Sequence, residues 1–182
     1  MGRRVRASCE DAMTNETKKQ ERIRAVAGSV EGVGMQRYEL YRKAWDQIKA
    51  ADQNGFYLEA ITLIESLISD RLESRARYLT GENHGFQNLG RLLTRVRTTD
   101  RDPEFSEAYK AIAEWRDKRN GAMHELVKFE HGVSVTWDEK VKPLPSIVRQ
   151  GRDALKAYDT LDKRDRRRAG RKTATDPHAF RG

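Results

Sequence analysis

A chain of 182 residues and 21.0 kDa has room for one domain with its own core, and a hydrophobic content of 37% is enough to build it. It has no run of about 18 apolar residues that would cross a membrane, and no apolar stretch follows the basic N-terminus as a secretory signal requires. The lone Cys9 cannot close an intrachain disulfide, which fits a reducing, cytoplasmic setting, and the net charge of +8 gathers at the two ends.

Residues 1–34 are polar, basic and broken by Gly28, Gly32 and Gly34, and they read as a flexible arm. Helical spacing begins at Met35: Tyr38, Tyr41, Ala44, Trp45, Ile48 and Ala51 mark a first helix over 35–52, ended by Asp52-Gln53-Asn54-Gly55. The second helix, 56–79, carries the strongest pattern. Tyr57, Ile61, Ile64, Ile68, Leu72 and Leu79 form one stripe, which Ala60, Leu63 and Leu67 widen until it needs two neighbours to cover it. A third helix over 86–98 turns Phe86, Leu89, Leu92, Leu93 and Val96 inward. Asp100 or Asp102, followed by Pro103, then opens a fourth at 104–129 with Phe105, Ala108, Ile112, Trp115, Ala122, Leu126 and Val127. The VSVTW run at 133–137 alternates like a brief extended segment or is a loop packed on the bundle, since it has no partner strand, and a last helix covers 143–162. Short connections favour antiparallel neighbours. The expected architecture is therefore all-α, an up-and-down bundle of four to five helices over 35–162, followed by a basic, disordered tail at 163–182. Seven basic residues and one acidic residue in 163–172 make that tail either a solubilising end or a phosphate-seeking arm for RNA.

Phosphate-loop, dinucleotide and zinc spacings are absent, and the histidines, His84, His124, His131 and His178, are scattered, so no cofactor or metal is expected. What remains is WRDKRNGAMHEL at 115–126, which sets Arg119, Asn120 and His124 on one helix. Histidine changes protonation near neutral pH and can take the proton of a ribose 2′-hydroxyl. Arginine presents a fork of donors to a phosphate and steadies the charge of a phosphorane, and Asn120 can donate to the same phosphate or orient the histidine. Such chemistry needs no metal, because the nucleophile belongs to the substrate. His124 lies about 7.5 Å and about 140° beyond Arg119, so the two reach one atom only along an extended substrate or across a two-fold axis. On residue chemistry alone the same residues are more readily ordinary surface groups or an internal hydrogen-bonded cluster capping the bundle. Glu65 sits inside the apolar stripe, where a carboxylate needs a cation such as Arg119, as an interhelical salt bridge or as support for a catalytic arginine.

Arg119-Asn120-Gly121-Ala122-Met123-His124 matches the R-x4-H signature of the HEPN family, and residues 41–79 resemble the first two helices of that family. The resemblance covers about 35–130 and leaves both ends outside. It implies an all-α homodimer with two R-x4-H motifs in one cleft, and a metal-independent endoribonuclease that leaves 2′,3′-cyclic phosphates. Arg119 and His124 would be catalytic, Asn120 supporting, and Glu65 a partner of the arginine. It further implies RNA as substrate and, in toxin–antitoxin or phage-defence members, a regulatory or antitoxin partner. Other members of the family have lost catalysis and bind nucleotide, RNA or protein.

Overall fold

The computed structural model describes residues 33–82, 87–128 and 135–175. Nearly all of the expected arm, with Cys9, His84, Phe86, His131 and His178, lies outside them. Among the described residues there are six helices and no strand: α1 (Val33–Gln53), α2 (Tyr57–Thr80), α3 (Leu89–Thr99), α4 (Pro103–Leu126), α5 (Trp137–Val141) and α6 (Leu144–Thr175).

Two compact units divide within α1, after Asp46. In the first, the described chain is helical from Val33, with Trp45 half-buried and Tyr38 exposed rather than turned inward. In the second, Ile48 and Ala51 at the end of α1 are buried. There α6 lies against both α2 and α4, and α2 also carries α3. Ile61, Ile64, Ile68 and Leu72 of the α2 stripe are buried, with Ile64 and Leu72 fully enclosed, while Tyr57 and Leu79 at its ends are half-buried. Each such side chain contributes roughly 1.5–3 kcal/mol by leaving water. Leu92, Leu93 and Val96 of α3, Ile112 and Trp115 of α4, and Val148, Leu155 and Tyr158 of α6 complete the core.

Local chemistry sets the ends. Gly81 takes a left-handed φ of 72° and donates its N–H to the Arg77 carbonyl, closing α2 with the backbone that glycine adopts most readily. Asp102, rather than Asp100, caps α4 by accepting the Glu104 amide at 2.9 Å, with Pro103 in the first turn. Two expectations change. Of the segment read as extended at 133–137, residues 133 and 134 lie outside the described residues, and its end is a helix start. Thr136 accepts the Glu139 amide, the Glu139 carboxylate returns to the Thr136 amide at 2.9 Å, and Trp137 opens α5, 59% exposed. The fourth helix stops at Leu126 instead of 129, and Val127, beyond its end, is 87% exposed rather than inward.

α6 runs to Thr175, past the expected boundary at 162. Its continuation is tied by side chains. Arg166 pairs with Asp162 one turn back, Arg164 pairs with Glu104 on α4, and Asp165 accepts from Arg75 on α2.

Candidate functional site

Trp115 is the reference point of the site. It is 1% exposed on α4, and its indole Nε1 donates to the Ile147 carbonyl of α6 at 2.9 Å. Gly151 lets α6 come this close, since a Cβ there would stand 2.6 Å from the same Nε1. One turn after Trp115, α4 presents Arg119 to α2. The guanidinium lies 5.9 Å from the Trp115 ring centroid, and its Nη2 donates to Glu65 Oε1. The cation required by the carboxylate in the α2 stripe is therefore the expected one.

Arg119 and Glu65 are only partly enclosed, with side chains 18% and 33% exposed. They line a cleft of about 310 Å³ together with Asn120, Arg116 and the first turn of α3, Asn88 to Gly90. The Asn88 side chain caps α3 by accepting the Arg91 amide at 2.9 Å. The amides of Leu89 and Gly90 have no partner within their own helix, and partial positive charge collects at that end. The cleft lining thus holds Glu65 paired with Arg119, the Arg116 guanidinium, two of whose nitrogens go to Asp117, and a helix N-terminus, which together offer donors to an anion.

His124 stands apart. It is exposed in the last turn of α4 and is not part of the cleft wall. A Cβ on Gly121, between Asn120 and His124, would meet nothing within 4 Å, so this surface is open. Beside it α5 is fastened to the end of α4 by Lys140, whose Nζ donates to the Glu125 carbonyl at 2.7 Å and also to that of Lys128. The structure accordingly gathers Glu65, Arg119 and Asn120, and leaves His124 on a neighbouring face.

Residues that sequence patterns do not single out complete this picture. Arg116 and Asn88 wall the cleft, and the only hint of Asn88 is its type ahead of a helical run. A second polar cluster joins α2, α4 and α6. Arg75, 7% exposed, donates through Nε to Asp100 Oδ2 at 2.8 Å and through Nη1 to Asp165, and lies 4.0 Å over the Phe105 ring. Tyr109 donates its hydroxyl to the same Asp100 oxygen at 2.7 Å. Burial pushes the Asp100 carboxyl up, but the bonds from Arg75, Tyr109 and the Asp102 amide outweigh it and hold the group below its ordinary value. Burial likewise works against the charge on Arg75, and the two aspartates more than restore it. Burial, then the bond to Asp100, keeps the Tyr109 phenol protonated well above the usual range. This cluster fastens α2, α4 and α6 to one another.

Among the described residues no group of His, Cys, Asp or Glu is gathered as a metal would need, and no helix is long and apolar enough to cross a membrane. Comparison with protein-family models, curated proteins and solved structures finds no match, so the functional reading rests on the residues and their geometry.

Proposed function

We propose that the chain is a HEPN-like, metal-independent endoribonuclease that acts as a homodimer of up-and-down helical bundles. The observation that carries this reading is the Glu65–Arg119 pair opening on an anion-receptive cleft with Asn120, with His124 at R-x4-H spacing on the same helix. Glu65 fixes the guanidinium without enclosing it, so donors remain for a phosphate. The exposed His124 and the open surface at Gly121 fit a site completed by a second copy, because one straight helix cannot bring both side chains to one phosphorus.

In this mechanism a neutral His124 removes the proton of a ribose 2′-hydroxyl, and the oxygen attacks the adjacent phosphorus. Arg119 and Asn120 donate to the phosphorane oxygens as charge develops. The bond from phosphorus to the 5′-oxygen breaks, the leaving oxygen takes a proton from water, and a 2′,3′-cyclic phosphate remains. A toxin or phage-defence role, under the control of a regulatory protein, follows from the same family reading.

The position of His124 outside the cleft favours a second reading, a non-catalytic module that binds nucleotide, RNA or protein through Arg119 alone. Incubating purified protein with total and transfer RNA in excess EDTA separates the two. The enzyme yields discrete cuts ending in cyclic phosphate, reduced about 10²–10⁴-fold in His124→Ala protein of unchanged melting temperature, and lost also in Arg119→Ala. A folded dimer that leaves this broad RNA set intact is the binding module.

A further inference from the structure

Beyond the cleft, α3 carries a longer basic groove. It has a volume of about 780 Å³ and is walled by Arg91, Thr94, Arg95 and Thr98 of α3 and Arg116 of α4, with no acidic side chain in its lining. The α3 residues recur at i, i+3, i+4 and i+7, one solvent face of the helix opposite buried Leu92, Leu93 and Val96. Arg91 and Arg95 are one turn apart and make no side-chain hydrogen bond or ion pair among the described residues. Arg116 gives Nε and Nη2 to Asp117, while its Nη1 lies 3.3 Å from where a Gly90 Cβ would stand. Asn88, Gly90 and Arg116 border both this groove and the Glu65–Arg119 cleft, so the two are continuous, and the missing side chain at Gly90 keeps the junction low.

We infer that this α3 groove is the track for the sugar-phosphate backbone of single-stranded RNA leading to the Arg119 cleft, with Arg91, Arg95 and Arg116 as its phosphate ligands. The inference rests on the RNA reading above. The threonines favour RNA over an acidic peptide. Thr94 donates its hydroxyl proton to the Gly90 carbonyl at 3.1 Å, and Thr98 gives its own to the Arg95 and Thr94 carbonyls. Both hydroxyls therefore offer a ligand only acceptor lone pairs, which a 2′-hydroxyl can fill and a carboxylate cannot. A rung of cations one turn apart, alternating with acceptors for ribose, is what a strand laid along the helix meets repeatedly.

The test is binding of a labelled single-stranded RNA of about 12 nucleotides, followed by fluorescence anisotropy in EDTA across a salt series. The full-length His124→Ala chain serves as host, so that no cleavage intervenes. Adding Arg91→Gln with Arg95→Gln lowers affinity between about ten- and a hundredfold and flattens the slope of log affinity against log salt by about 1.4, two single-strand phosphate contacts. Arg97→Gln removes the same kind of charge from α3 outside the groove and leaves the slope unchanged. Poly-glutamate displaces the RNA poorly. An unaltered slope in the double variant, equal losses from Arg97→Gln, or displacement by poly-glutamate as efficient as by unlabelled RNA overturns the groove assignment. So does an absence of RNA binding by the host chain. Failure of the ribonuclease reading looks different: the groove variants still weaken RNA binding, and the wild-type chain cuts nothing.

Discussion

Arg75 and Arg119 each pair with a carboxylate on another element, yet their surroundings assign them different work. Arg75 is 7% exposed, is bonded to two aspartates and is covered by Phe105, whereas Arg119 gives one nitrogen to Glu65 and opens on a cleft. Truncating Arg75 strands Asp100 in a site whose own side chain is 3% exposed. Arg75→Ala should therefore cost about 3–5 kcal/mol at neutral pH, read from urea unfolding. The pH dependence has a definite sign. With a folded value below the ordinary one, Asp100 contributes stability that is present above the unfolded carboxylate range and lost as pH falls through the folded value. Without Arg75 the buried carboxyl accepts a proton more readily than in the unfolded chain, so the penalty of Arg75→Ala shrinks between pH 7 and about pH 4. A penalty that stays constant over that interval means that Asp100 is not the group being paid for.

At the scale of elements, the crossing of α4 and α6 is the most demanding contact. A Cβ on Gly151 would stand 2.6 Å from Trp115 Nε1, 2.7 Å from its Cε2 and 2.9 Å from Ile64 Cγ2, three atoms held by the core. Gly151→Ala should destabilise by about 1–3 kcal/mol and alter the near-ultraviolet circular dichroism of Trp115; a variant with the wild-type melting temperature would show that the helices separate freely there. This contact also shows where sequence patterns stop. The burial of α2 is legible because its apolar residues recur at helical spacing, and the Glu65–Arg119 pair is legible because a carboxylate in such a stripe needs a cation. Gly151 inside a helical run has no such mark, since what it accommodates is an indole from 36 positions earlier in the chain. Arg75 is hidden for the same reason: its partners Asp100 and Asp165 are brought to it only by tertiary packing. At α5 two local signals compete. The alternation in VSVTW is compatible with a brief extended segment, but the Thr-x-x-Glu pattern at 136–139 is a capping box and a helix begins after Thr136.

For the whole molecule, the decisive matter is how many chains make one site. His124 is exposed, the surface at Gly121 is open, and Val127 and Trp137 expose apolar surface near the end of α4 where Lys140 fastens α5. A dimer that closes over this end has twice the 21.0 kDa mass of the chain and can bring a second His124 toward the Arg119 cleft. Mixing inactive chains tests the arrangement directly. In a homodimer, Arg119→Ala and His124→Ala proteins unfolded together and refolded in equal amounts would form mixed dimers as half of all dimers. If each catalytic unit takes Arg119 from one chain and His124 from the other, every mixed dimer has one complete unit. The mixture then recovers about a quarter of wild-type cleavage, while either protein alone recovers none. If each chain supplies both groups to its own site, mixed dimers form and no cleavage returns, because no chain in the mixture retains both side chains. The exchange is verified by mass on differently tagged chains, so silence of the mixture reads as independent sites and not as failed mixing. Recovery would place the reacting phosphate between two copies of α4, where the about 140° separation of Arg119 and His124 along one helix becomes the feature that lets each chain serve its neighbour.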